Sequence, residues 1–472
     1  MNTNSTPVPG LPGQVAPDSR RWLALVVLLT GTLLPPLDFF IVNVALPVIR
    51  TDLRASSDVA QLVVSVYAAA YAVTLILGGR LGDLYGRKRV FVAGMLGFGL
   101  ASALCGMATS PSVLVAGRLL QGISAAIMAP QSLASIHAMF PASEKGRALS
   151  LYGATFGLAA VGGQLLGGLL VAANPFGLGW HSIFLINLPI IAFAVPAALA
   201  LLRESRAERS ARLDVPGAFL LATGLLALVV PLIEGREHGW PWWCIALLTL
   251  SVPLLFNFWR YEKRQEQAGR TPLVLPSLLA TRGLQRRLLA TFFFYALAAF
   301  FLVFAIYEQA GLGHDALAAG LAILPLGVGL LLGPLSGPRI ARWTGPRTAS
   351  CGMALEVVGL VMAAALAFAD APRWLPVPLL LIGLGQGIAL PALVRLSVDH
   401  VDARWAGLAA GLVSATLQIS AAVSVALIGG LFFALAPDGS SAGEVRSGFA
   451  IASLAMAGAL AVAAGLSWKR DR

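Results

Sequence analysis

From about residue 20 to residue 470, runs of some twenty apolar residues alternate with short polar segments holding Arg, Gly, Pro and Asp. A helix needs roughly 20 mostly apolar residues to cross the hydrocarbon core of a bilayer. Fourteen such runs fall near 22–49, 58–79, 89–109, 111–134, 147–172, 181–202, 214–234, 241–259, 288–310, 316–338, 347–369, 374–397, 405–434 and 448–468. Pro231, Pro241 and Pro253 interrupt the seventh and eighth. A lone helix satisfies its own backbone in lipid, whereas a barrel would show short alternating segments. The pattern therefore predicts an all-α polytopic membrane protein with fourteen transmembrane helices.

Composition agrees. Of 472 residues, 58% are hydrophobic and 12% charged, against about 25% charged in soluble domains. Mean hydropathy is +0.81. Residues 1–20, MNTNSTPVPGLPGQVAPDSR, are polar and rich in Pro and Gly, and read as a disordered tail. No cleavable signal precedes the first run, which is too long for a signal peptide's apolar region, so it is expected to stay as an anchor.

The net charge of +11 raises the question of nucleic acid, but its placement answers otherwise. An even number of runs puts both termini on one side. Most Lys and Arg fall on that side, while the opposite segments hold Arg50, Arg54, Arg236, Arg373 and Arg446. The positive-inside rule then places both termini in the cytoplasm, with the chain in the plasma (inner) membrane. The basic excess becomes a topology signal and a contact for anionic lipids, with no nucleic-acid partner. Cys105, Cys244 and Cys351 all lie in apolar runs at no metal or disulfide spacing, so no metal is expected.

The segment GGRLGDLYGRKR (78–89) follows the second run, and SGPRIARWTGPR (336–347) follows the tenth. That offset of eight fits a six-plus-six repeat with two helices inserted, an arrangement common in secondary transporters. The expected organisation is a tail (1–20), an N-terminal bundle (21–203), a linker pair (204–260), a cytoplasmic loop (261–287) and a C-terminal bundle (288–472).

Three segments carry chemistry. In GRLGDLYGRKR (79–89), Gly79, Gly82 and Gly86 permit a tight turn, Asp83 suits a helix N-terminus, and Arg87 and Lys88 sit at the head groups. In LVAGRLLQGISAA (114–126), Arg118 lies inside an apolar run, at a cost of about 2.5–3.5 kcal/mol on insertion scales. Asp38, in LDFFIVNVALP (37–47), lies at a depth where it could meet Arg118. In the fifth run, Gly153, Gly157, Gly163 and Gly167 form two GxxxG pairs that allow close or sliding helix contacts.

These segments, in this order, resemble the major facilitator superfamily. Gly79, Leu81, Asp83, Gly86, Arg87 and Lys88 match its loop signature, and Arg118, Gln121, Gly122 and Ala126 its fourth-helix signature. Fourteen runs, with LDFFIVNVALP and FLINLP (184–189), resemble the 14-helix drug:proton antiporter branch. The resemblance implies two six-helix bundles, a multidrug-resistance exporter working by alternating access, and a conformational latch on the cytoplasmic side. There are departures. Gln164 stands where the fifth-helix antiporter motif has proline, His181 stands where the family has Arg, and Glu308 enters a Tyr-Leu-Gln pattern.

Taking a carboxylate out of water favours its neutral form, and a nearby guanidinium favours the anion. An acid balanced between the two can load and release a proton, so Asp38 and Arg118 are expected to couple protons inside a wet chamber. Glu308, near the outer end of the ninth run, and Glu356, midway along the eleventh, are the further candidates, and Asp399 reads as a boundary charge. Substrate-binding candidates are Tyr67, Tyr71, Gln121, Gln164, Tyr295, Gln386 and Gln418. The cargo is expected to be a small amphipathic or cationic molecule, carried by a monomer without a cofactor. A proton gradient is the expected energy source, with sodium as the alternative ion. A dedicated exporter of one native metabolite, siderophore or lipid is the alternative function. No lysine stands in a phosphate-loop context and neither HExxH nor GxSxG occurs, which disfavours an ATP-driven pump or an enzyme. A membrane sensor is the remaining alternative.

Overall fold

The computed structural model describes residues 20–468 apart from 56, 207–213, 236–238, 271, 315, 399–400, 402–405 and 438. The expected disordered tail, through residue 19, and Asp399 lie outside the described residues.

The N-terminal half contains α1 (Arg21–Asp52), α2 (Ser57–Tyr85), α3 (Arg87–Gly106), α4 (Pro111–Met139), α5 (Ala142–Ala173) and α6 (Asn187–Leu201). Two helices follow, α7 (Val215–Glu234) and α8 (Trp242–Gln267). The C-terminal half contains α9 (Arg282–Phe294), α10 (Leu324–Thr344), α11 (Thr348–Phe368), α12 (Pro376–Val398), α13 (Ala406–Ser424) and α14 (Ala442–Trp468). α9 continues helically through a 3-10 turn at Tyr295–Leu297 and Ala298–Ile306 into a π turn at Tyr307–Gly311. No strand occurs among the described residues.

Local chemistry sets the breaks. Gly86 separates α2 from α3 at φ 101, a backbone that favours glycine. Pro111 opens α4 at a position that needs no amide donor. Asp214 caps α7 by accepting from the Gly217 amide at 2.9 Å. Gln164 leaves α5 uninterrupted over its 32 residues, where a proline would have removed a backbone bond.

Two stretches differ from expectation. α8 runs on to Gln267 and α9 begins at Arg282, so the segment read as a cytoplasmic loop (261–287) is helical at both ends. Its charges had hidden helix that extends beyond the apolar run. Among the described residues, twelve stretches are long and apolar enough to cross a membrane, the longest being Ala318–Phe368 with 51 residues, and Pro216–Leu232 is a shorter apolar helix.

In the N-terminal half α4 packs on α2 and α3, and α1 on α5. In the C-terminal half α12 packs on α10 and α11, and α11 on α14. The halves meet along two seams, α5 with α10 and α2 with α13. α7 and α8 pair with each other, and α7 also lies on α2 and α13, covering that second seam.

Candidate functional site

Asp38 and Arg118 form an ion pair through Oδ2 and Nη1, both side chains fully buried. Arg118 also donates from Nε to the Val63 carbonyl at 3.0 Å and from Nη1 to Gln121 Oε1 at 2.9 Å. Its guanidinium lies 4.1 Å from the Tyr67 ring centre, a cation–π contact. The other Asp38 oxygen accepts from Gln121 Nε2 at 3.1 Å and Asn187 Nδ2 at 3.0 Å. Both amides also donate to Ser102 Oγ, at 2.8 and 3.2 Å. The Tyr67 hydroxyl donates to the Pro35 carbonyl at 2.9 Å. One polar knot thus ties α1, α2, α3, α4 and α6. Each charge has a counter-charge, and all but Arg118 Nη2 among the knot's charged-group nitrogens and oxygens have a hydrogen-bond partner.

Asp38 was expected to face a wet chamber, and here it does not. It is 1% exposed. Narrow clefts between the halves lie along the other seam. One is lined by Phe40, Val161, Gln164, Phe301 and Gly327. Another, nearer the N-terminal end of α5, is lined by Gly146, Ser150, Pro334, Gly387 and Pro391. Phe40 meets Phe301 across the centre, ring centres 5.6 Å apart, so apolar packing fills the space between the halves.

In the loop signature, the described partners of Asp83, Arg87 and Lys88 lie on the N-terminal side, as far as Glu204. Arg87 Nη2 reaches Asp83 Oδ1 at 3.2 Å, and its Nη1 donates to the Ala134 carbonyl of α4 at 3.3 Å. The Lys88 amide donates to Glu204 Oε1 at 3.1 Å, and its Nζ donates to the Leu199 carbonyl at 2.6 Å. Gly79 is half-buried, and a Cβ on Gly82 would collide with the Gln131 amide. Arg80, which was not a candidate, donates from Nε to the Leu273 carbonyl at 2.8 Å and also to the Pro272 carbonyl. Glu262 accepts from the Val274 amide at 2.8 Å, so this loop after α8 is held from two sides.

Glu308 lies in the π turn, 2% exposed, with its carboxylate 2.7 Å from Nδ1 of the half-exposed His314. It is therefore not a solvated loop-end acid. Glu356 is fully buried on α11, and neither carboxyl oxygen has a hydrogen-bond partner. Among the binding candidates, Gln121 belongs to the polar knot and Tyr67 supports it. Tyr71 stacks on Tyr67, ring centres 6.3 Å apart. Gln164 lines the central cleft. Half-buried Tyr295 packs on the C-terminal core at the 3-10 turn. Gln386 is buried with its Oε1 unpartnered, and Gln418 is half-buried on α13. These residues do not converge on one pocket in this conformation.

Sequence reasoning missed Ser102 and Asn187. Asn187 stood in plain view inside FLINLP, an amide in an otherwise apolar run. Ser102 gave no signal, because a lone serine is common in apolar helices.

Residues 28–425 match the family model described as Major Facilitator Superfamily. A probable actinorhodin transporter of Streptomyces coelicolor is 39% identical, over 90% of this chain and 75% of the relative. Puromycin resistance protein pur8 of Streptomyces alboniger is 36% identical, over 96% of this chain and 92% of its own. The human organic anion transporter MFSD10 (TETRAN) shares the fold, with a TM-score of 0.66 at 17% identity over 94% of this chain and 100% of that one.

Proposed function

Because this chain belongs to the Major Facilitator Superfamily, a family of multi-pass membrane transporters, we propose that it exports small amphipathic or cationic molecules in exchange for protons. The names of two relatives, a probable antibiotic transporter and a resistance protein, support export. The observation that carries proton coupling is the buried Asp38–Arg118 pair.

A pair closed this tightly does not load a proton while it stays closed. A proton reaching Asp38 removes the counter-charge of Arg118 and leaves it the Val63 carbonyl, Gln121 and the Tyr67 ring. Those partners belong to α2 and α4, so protonation loosens the charged tie between α1 and α4 and leaves the Tyr67–Pro35 hydrogen bond between α1 and α2. The exchange becomes a rearrangement of the N-terminal half, which is what alternating access requires. Glu308, buried beside a half-exposed histidine, supplies an acid near the opposite mouth. Gln164, Tyr71, Tyr295 and Gln418 form the candidate binding surface once the halves part. Gly79, Gly82, Asp83, Gly86, Arg87 and Lys88 act as a latch by stiffening the N-terminal half.

We read the protein as a monomer with fourteen spans and both termini in the cytoplasm of a plasma membrane. The 51-residue stretch contains two helices parted by the turn at Gly345–Arg347, and Pro216–Leu232 spans in its turn. A dedicated exporter of one self-made compound is the second reading, favoured by the relative named for actinorhodin.

The test is efflux of ethidium and of neutral drugs from proteoliposomes under an imposed pH gradient, with a sodium gradient as the other arm. Efflux driven by the pH gradient supports the reading. Efflux indifferent to the pH gradient in every case removes it.

A further inference from the structure

In the N-terminal half the buried acid has its own cation. In the C-terminal half Glu308 has His314 beside it, and the other buried acid, Glu356, has no cation. Glu356 is the described acid with both carboxyl oxygens buried and unbonded. It sits where α11 packs closely on α12. A Cβ on Gly385 of α12 would lie 2.6 Å from Glu356 Cγ. One on Gly352 would lie 2.7 Å from the Gly385 carbonyl, and one on Gly359 2.7 Å from Ile382 Cγ1. Three glycines thus let α11 and α12 approach closely, and one of them, Gly385, abuts the Glu356 side chain.

The facing elements carry no charge to this crossing. On α12 the neighbour of Gly385 is Gln386, buried with Oε1 lacking a donor, and Arg395 lies at the far cytoplasmic end. On α14, Ser453 is fully buried and its hydroxyl unpartnered, while Glu444 and Arg446 lie in the first turns. On α10, Arg339 and Arg342 lie near the C-terminal end. On α11 itself the other titratable group is Cys351, near its start. An ionised carboxylate left here without a donor would cost far more than a neutral one. The site is a set of oxygen acceptors short of a positive partner.

α12 also connects this crossing to the space between the halves. Gly387 and Ile388, next after Gln386, line the second cleft together with Gly146 and Ser150 of α5. One face of a single helical turn therefore seats the acid while the other borders the seam that opens in transport.

We propose that Glu356 is a second proton-loading site, held in the C-terminal half and reached through Gln386 from the cleft beside α5. This rests on the proton-exchange reading above and adds to it. Protonating Asp38 breaks its pairing with Arg118, whereas Glu356 takes its proton with no ion pair to break, each proton adding one positive charge to the chain.

Infrared difference spectroscopy on the reconstituted full chain tests the site without any cargo. The expected result is a carboxylic-acid carbonyl band at neutral pH, absent in Glu356→Gln, that disappears as pH is raised and ignores added sodium chloride. A band unmoved by pH overturns the proposal, and so does the absence of any band separating wild type from Glu356→Gln. Loss of the band on adding sodium overturns the proton assignment. In proteoliposomes, Glu356→Gln should keep downhill ethidium efflux and lose uphill, pH-driven efflux at least tenfold, and Glu356→Asp should restore part of it. Undiminished uphill efflux in Glu356→Gln overturns the role. A wild type that moves no ethidium yet shows the titrating band sinks the export reading and leaves the site standing.

Discussion

Gly157 of α5 backs directly onto Leu330 of α10: a methyl group on the glycine would lie 2.6 Å from the leucine Cβ. Gly153, one turn earlier, is as close to Pro391 of α12, at 2.6 Å from its Cγ. Without glycine the two halves could not meet at this seam. Gly157→Val should therefore hold the seam apart. Transport should fall at least tenfold while the thermal midpoint moves by only a few degrees, because surface is lost at one contact only. Efflux assays and a thermal-shift series on the purified variant check both, and normal transport would show that the seam does not need this fit.

Removing one partner of the buried pair should be severe. Asp38→Asn keeps the shape but leaves Arg118 charged and unpaired, at a cost of about 3–5 kcal/mol. Its Nη2 already has no partner among the described atoms. Pairing the change with Arg118→Gln should recover much of the stability and none of the pH-driven transport. Thermal melts and efflux on the two singles and the double separate structure from coupling. A double variant no more stable than Asp38→Asn would mean that the charges are not energetically linked.

The Asp83–Arg87 contact is partly exposed, so its direct worth is small, about 1 kcal/mol or less. Its effect should appear in shape instead. Asp83→Ala frees Arg87 from the α2–α3 turn and should open the cleft lined by Ser150 more often. A cysteine placed at Ser150 should then react several-fold faster with a membrane-impermeant maleimide applied from the side of the α2–α3 turn. Equal labelling rates would reduce the turn to a topological marker.

Arg80 holds the loop after α8 through two backbone carbonyls. Arg80→Ala should release it. Trypsin should cut after Arg270 several-fold faster in detergent-solubilised protein, as counted by mass spectrometry over a time course. An unchanged cutting rate would assign the loop's order to Glu262 alone.

How far the sequence revealed these features depended on the kind of partner involved. Asp38 and Arg118 were legible because two opposite charges in apolar runs at similar depth have few other ways to be stable. Their amide and hydroxyl neighbours were not, since whether Ser102 or Asn187 turns inward depends on helix rotation, which short polar residues do not reveal. The loop signature was legible as a turn, yet its direction was not. Several of its cations end on the carbonyls of Ala134 and Leu199, and carbonyls leave no trace in a sequence. The helical ends of residues 261–287 were missed because hydropathy finds lipid and not helix. Glu356 was legible as a candidate acid midway along an apolar run, and its lack of a partner shows only at the packed α11–α12 crossing.

The two seams between the halves do not face the bilayer alike. α7 screens the junction of α2 and α13, its Leu221 and Leu225 packed with Ile76 and Leu412. The junction of α5 and α10 has no such shield, and Leu158, Leu165, Leu331 and Leu335 stand exposed on it. A greasy compound dissolved in a leaflet would thus find one doorway and not two. Lipids bearing photoreactive tails should mark that side of the carrier and spare its twin. The inserted pair of helices makes the carrier one-sided toward the fluid around it.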